Sequence, residues 1–303
     1  MLGRRVADAI REHGPETLVA DDVVAVANEA DLFVLNLECC ISVRGQPFPQ
    51  PGKPFFFRAP PQAVETLHRL GVDCVTLANN HALDYGSEAL LDTLAHLDSA
   101  GIAHVGAGSD VTAARTPGLL QADGFRLAVL GCCDHSPAYA AEPDAAGIAY
   151  GLDWVPDMIA ALEANAVLVT PHWGPNMAAA PSNRIRRAAS AFRRAGATLV
   201  AGHSAHVFRG IPGGVLYDLG DFLDDYALDA ELRNDLGLPF LADLDREGLA
   251  RLEAVPLALD YCGTRLAHGD EARWIQERFI AACRALGTDA HAERGRLVVA
   301  LRA

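Results

Sequence analysis

What most limits the folds open to this chain is a repeated unit: a short apolar run, a polar break, then a helix-length amphipathic stretch. The runs are DLFVLNLE (residues 31–38), VDCVTLA (72–78), 102–105, 125–131, AVLVTP (166–171) and ATLVAG (197–202). Apolar runs of this length between breakers read as buried strands. Residues 16–29, 61–70, 86–101, 153–163 and 181–195 read as helices, with Pro61 in a first turn and Gly71 and Gly101 as stops. Strands joined by such helices make parallel βαβ units, and those sheets bind ligands at the carboxyl ends of their strands. The fold class is α/β.

After residue 206 the texture changes. VFRGIPGGVLYDLGDF (207–222) reads as a hairpin turning at Gly213-Gly214, and residues 238–259 as another turning near Gly248. A helix over 270–286 and a strand over 295–302 follow. No linker, repeat or low-complexity segment divides the chain, so residues 1–303 read as one domain.

Composition removes several function classes. The net charge of −14 argues against sequence-independent nucleic-acid binding, which needs a basic face. No run of eighteen apolar residues suggests a transmembrane helix. MLGRRVADAIREHG at the start lacks the apolar stretch of a signal peptide. Seven cysteines, two pairs of them adjacent, follow no secreted-scaffold spacing, so the expected home is a reducing cytoplasm.

The strand ends carry the chemistry. The first run ends in Asn36 and Glu38, and the second in Asn79, Asn80 and His81. The run over 166–171 ends in His172, and the run over 197–202 in His203 and His206. One histidine after a strand is usually an ordinary loop residue, and Asn79-Asn80 alone would make a turn. Four such ends on one edge point to a site. By contrast His13, His68, His96, His268 and His291 fall on or beside helices, and nothing supports His104 or His135. Neutral imidazoles with one carboxylate and an amide oxygen suit manganese, iron or zinc better than calcium. Two such ions need a bridging carboxylate, for which Glu38 is placed. They polarise a substrate oxygen and acidify water. His81, beside Asn80, is then free to protonate a leaving group.

NLE (36–38), LANNHALDYG (77–86), GIAHVGAG (101–108), HWG (172–174), GHSAHV (202–207) and LYDLGDF (216–222) resemble, in order and spacing, the CapA-like proteins of poly-γ-glutamate capsule synthesis. These belong to the calcineurin-like metallophosphatase superfamily. The resemblance implies a four-layer αββα sandwich and a site of one or two divalent ions. It implies Glu38, Asn80, His172, His203 and His206 as ligands, and His81 as the catalytic histidine. Asn36, Asn79, Asp84 and Asp221 are candidates to support those residues from behind. Arg184 and Arg186, in SNRIRR beside HWG, are candidates for substrate binding. CapA-like chains usually begin with a strand ending in Gly-Asp before a segment like MLGRR, which here is residues 1–5, so that strand is expected either to precede this sequence or to be absent by nature. A weakened first metal position is therefore expected. So is an unpaired sheet edge that invites a homodimer, and export if a preceding segment exists.

The resemblance implies a metal-dependent hydrolase acting on a phosphoester or on a glutamyl or peptide amide. It also leaves open a metal-assisted acid/base enzyme such as a peptide Cα epimerase, or a non-catalytic accessory protein of polyglutamate assembly. The corresponding partners are a small-molecule, peptide or polyglutamate substrate.

Overall fold

The computed structural model describes residues 1–301 and has a mixed α/β architecture with several sheets. Strands β1 (Val34–Asn36), β2 (Cys74–Thr76) and β3 (Ala103–Val105) form a parallel sheet in that order. A second sheet holds β4 (Gly118–Ala122), β5 (Phe125–Cys133), β6 (Ala166–His172), β7 (Leu199–Ala201) and β8 (Val215–Leu216). Its order is β8-β7-β6-β5-β4, with β5 to β8 parallel and β4 antiparallel to β5. Every residue of β6 is buried, as expected for a parallel strand covered on both faces.

Alternation along the strands sorts their side chains. Cys74 and Val105 from the first sheet pack with Val129, Leu168, Leu199 and Leu216 from the second. The neighbouring positions face the other way. Val75 and Leu77 join Val6, Ile10, Leu67, Leu90 and Leu97 from helices α1 (Arg4–His13), α2 (Ala63–Arg69) and α3 (Gly86–Ser99). Leu130, Val167 and Val169 join Ile159 of α4 (Val155–Ala160), and Ile185 and Phe192 of α5 (Asn183–Ala195). This is the period of two that sends successive side chains to opposite faces. The sheets meet closely at Gly131, where an added Cβ would overlap Thr76 and Gly106.

The hairpin expected over 238–259 forms between Phe240–Asp245 and Gly248–Ala254. The one expected over 207–222 does not form. After the turn at Gly213-Gly214, Val215–Leu216 joins the second sheet parallel to β7, while Phe208 and Ile211 bury in the inter-sheet core. The helix expected over 16–29 is broken as well. Val19 bridges Thr264 and the Ala20 amide donates to the Thr264 carbonyl, which holds that stretch extended before a helix at Asp21–Ala27. The final strand is Arg296–Val299, and residue 302 of its expected span lies outside the described residues.

Candidate metal centre

The carboxyl ends of both parallel sheets open on one place. Past β1 stands Glu38, past β2 Asn79, Asn80 and His81, at the end of β6 His172, and past β7 His203 and His206. His172 and His203 face each other in a parallel bridge beyond the regular ladder. The loop holding His206 is strained: Ser204 and His206 have φ of +117° and +60°, conformations that non-glycine residues adopt only when their surroundings impose them. Below it Trp173 is fully buried, donates its indole N–H to the Tyr217 carbonyl at 2.9 Å and stacks on Phe192, anchoring His172.

The structure brings the predicted residues together. Glu38 Oε1 lies 3.8 Å from His172 Nε2 and 4.0 Å from His81 Nε2, and His172 Nδ1 is 2.7 Å from His203 Nδ1. Asn80, His81 and His206 line a cavity of about 710 Å³. The four supporting candidates stand behind them. Asn36 donates to Glu38 Oε2 at 2.9 Å, and Asn79 to Asn36 Oδ1 at 3.0 Å. His81 donates Nδ1–H to Asp84 at 2.6 Å, and His206 Nδ1–H to Asp221 at 2.8 Å. Arg184 and Arg186 do not line the cavity. Arg184 stands 3.7 Å from Asp134, and Arg186 lies against the Tyr217 ring and the Pro181 carbonyl.

Two features of these side chains bear on a metal, and they oppose each other. As placed, no group of three His, Cys, Asp or Glu side chains among the described residues could hold an ion; His172 and His203 are turned toward each other instead. Yet Glu38 Oε1, Asn80 Oδ1 and His203 Nε2 are buried without a hydrogen-bond partner. Each such atom costs about 1–3 kcal/mol unless something satisfies it. The 3.8 Å gap from Glu38 to His172 is too long for a hydrogen bond. The orphan atoms on Glu38 and Asn80 weigh more, since burial leaves them unsatisfied whichever way the His172 and His203 rings turn. A carboxylate oxygen, an amide oxygen and an imidazole nitrogen are donor types that a divalent ion accepts.

Electrostatics agree for two of the histidines. Burial, then the neighbouring histidines, holds His172 well below its usual range, and burial brings His203 down to about 3, so both are neutral donors. Burial also works against the charged form of His206, but the Asp221 carboxylate outweighs it and lifts the ring to about 10. The adjacent thiols stay protonated. Burial raises Cys39 to about 11 and pushes Cys40 higher, and the Cys40 thiol points to the Phe57 carbonyl.

Three participants escape the sequence pattern. His135, set aside above, lies tilted against His172 at a 4.8 Å centroid distance and pairs with Asp134 at 2.9 Å. Its place just past the end of β5, the strand beside β6, was the available signal. Lys53, the only lysine, pairs with Asp84 at 2.7 Å and also donates to the Asn80 carbonyl and the Tyr139 hydroxyl. Tyr139 bonds Asp84 as well, at 3.0 Å. Both charges of the Lys53–Asp84 pair are buried, so removing one leaves the other uncompensated. Lys53→Met is expected to cost about 3 kcal/mol of stability, read from urea denaturation midpoints. A change below about 0.5 kcal/mol would show that the pair is not buried as described.

Among known proteins, residues 1–226 match the family described as bacterial capsule synthesis protein PGA_cap. A probable polyglutamine synthesis accessory protein of Mycobacterium tuberculosis is 30% identical over 283 residues, spanning 85% of this chain and 73% of that one. The PGA biosynthesis protein CapA of Bacillus subtilis is 28% identical over 269 residues, spanning 85% and 69%. A solved structure of a hypothetical protein from Thermus thermophilus aligns with a TM-score of 0.43 at 18% identity, covering 86% of this chain and 91% of that one. No helix among the described residues is long and apolar enough to cross a membrane.

Proposed function

The chain belongs to the PGA_cap family of bacterial capsule synthesis proteins, and from that premise we propose that its cavity is a metal-dependent hydrolytic site for a phosphoester or a glutamyl or peptide amide. The observation that carries this reading is the set of buried, unpartnered ligand atoms on Glu38, Asn80 and His203, of which Asn80 lines the cavity while Glu38 lies 4.0 Å from the cavity-lining His81. Those residues, with His172 and His206, would hold one or two ions of manganese, iron or zinc. Bound there, a divalent ion supplies Lewis-acid polarisation of a substrate oxygen and a more acidic water. The order of the apolar clusters supports a four-layer αββα sandwich of the metallophosphatase type. The inter-sheet cluster, which draws on residues from Cys74 to Val299, supports a single domain.

The chain's own residues do the rest. Asp84 accepts from His81 Nδ1 and so fixes the ring with Nε2 toward the cavity. A proton held at Nε2 is then placed for the departing oxygen or nitrogen, and the Asp84 carboxylate stabilises the charged ring before transfer. Asn36 and Asn79 hold the Glu38 carboxylate by a relay of amide donors. The names of the relatives, polyglutamine synthesis accessory protein and PGA biosynthesis protein, support a glutamyl polymer as the wider setting.

A second reading has its own observation. Asp134–His135 forms another aspartate–histidine pair against His172. Two such pairs at one site suit removal of a Cα proton on one side and its return on the other, as in an epimerase. The assay separates the two readings. Purified protein with added Mn²⁺ or Zn²⁺ is expected to release p-nitrophenol from bis(p-nitrophenyl) phosphate or p-nitroaniline from γ-glutamyl-p-nitroanilide, and EDTA to stop it. No metal-dependent release from either would sink the hydrolase. Deuterium uptake at a peptide Cα in D₂O would then favour the epimerase.

A further inference from the structure

Apart from His206, which is paired with Asp221, the cations lining the cavity are Lys53 and Arg4, and only Arg4 has donors to spare. The three N–H bonds of Lys53 meet three acceptors: the Asn80 carbonyl, the Tyr139 hydroxyl and the Asp84 carboxylate. Nothing remains for a ligand. Arg4 is tied through Nε, 3.2 Å from Asp225, whose carboxylate is buried and is itself held by the Arg5 amide. Among the described residues no hydrogen bond is formed by its two terminal nitrogens, and its side chain is 31% exposed. The guanidinium also sits 4.6 Å over the Phe55 ring and 5.5 Å over that of Phe57. Its backbone sits at φ +52°, a conformation that for arginine persists only when its surroundings fix it.

We propose that Arg4 anchors a single carboxylate of the substrate, with Phe55 and Leu228 covering the carbon skeleton beside it. This rests on the reading that the floor of the same cavity is where the substrate reacts. A guanidinium engaged at Nε keeps its terminal nitrogen pair, the two-toothed fork that matches a carboxylate. Arg4 and Asp225 together carry no net charge, which suits a monoanion better than a phosphate dianion. One open fork in a chain of net charge −14 takes one carboxylate at a time, not a run of them. The apolar part has a place too: Phe55 and Leu228 line the cavity at 48% and 59% exposure, and exposed apolar residues grouped at a cavity mark ligand contact.

Calorimetry on zinc-loaded protein tests this without turnover, using N-acetyl-leucine, N-acetyl-leucinamide and inorganic phosphate as probes. The acid is expected to bind at least about 10-fold tighter than the amide, as a charge-assisted bidentate pair implies. Arg4→Gln should bring that ratio close to one while zinc content and amide affinity stay as they were. Arg4→Lys, which keeps the charge and loses the fork, should recover only part of it and guards against a folding defect in the glutamine variant. The proposal is overturned if the wild type shows no preference for the acid, or if the preference survives Arg4→Gln, which would place the carboxylate on the metal. It is overturned equally if phosphate loses more affinity than the acid in that variant. An intact, Arg4-dependent preference in a protein without metal-dependent turnover would support this subsite while sinking the hydrolase.

Discussion

His81→Ala is expected to lower the turnover of metal-loaded protein by about 100- to 10,000-fold, the usual range for removal of a positioned general acid. Metal content should not change, because the ring is committed to Asp84 through Nδ1 and Asn80, not His81, supplies the unpartnered oxygen. The loss should fall on kcat more than on KM, since a proton delivered to the leaving group acts in the transition state. Asp84→Asn should lower turnover as well, by removing the carboxylate that orients the ring, and should also lower stability because Lys53 loses its buried counter-ion. Equal loss of metal in His81→Ala and Asn80→Ala, by elemental analysis, would erase the distinction between the two neighbours.

Glu38→Gln is expected to have the largest effect on the metal itself, weakening it by about 100-fold or more. Glu38 is the one carboxylate among the proposed ligands, and its charge offsets the cost of stripping water from a dication. The substitution keeps the shape and leaves Asn36 a partner at the second oxygen, so the fold should survive. Thermal unfolding without metal should shift little, or slightly upward, because an unpaired buried anion is removed. Unchanged metal affinity would mean that Glu38 plays a structural part only.

Much of the site was legible because of how parallel sheets are built. Buried strands such as β2 and β6 need apolar residues throughout, so polar groups directly after them, Asn79 to His81 and His172, stand out against the run. The parallel connection then sends those ends to one edge. Among the residues that escaped, Lys53, Tyr139 and Arg4 reach the site from outside that pattern. Lys53 sits in the proline-rich stretch over 45–57 that crosses the site, and a long side chain in such a stretch carries no periodic signal. Residues 207–222 failed for a related reason. Gly213-Gly214 is a sound local turn signal, but β8 pairs with β7, and parallel pairing across a connection is not encoded at the turn. The segment over 16–29 shows tertiary contact overriding helical patterning, since Thr264 takes Val19 and Ala20 as extended partners.

A metal held in this cavity is the premise of every catalytic role assigned above. Titration of EDTA-treated protein with Mn²⁺ and Zn²⁺ by calorimetry, with elemental analysis after desalting, measures that directly. The expected result is about one tightly held equivalent per chain, in the micromolar range or better, lost in Glu38→Gln and His172→Ala. Retention of no metal after desalting, or equal binding by wild type and both variants, would contradict it.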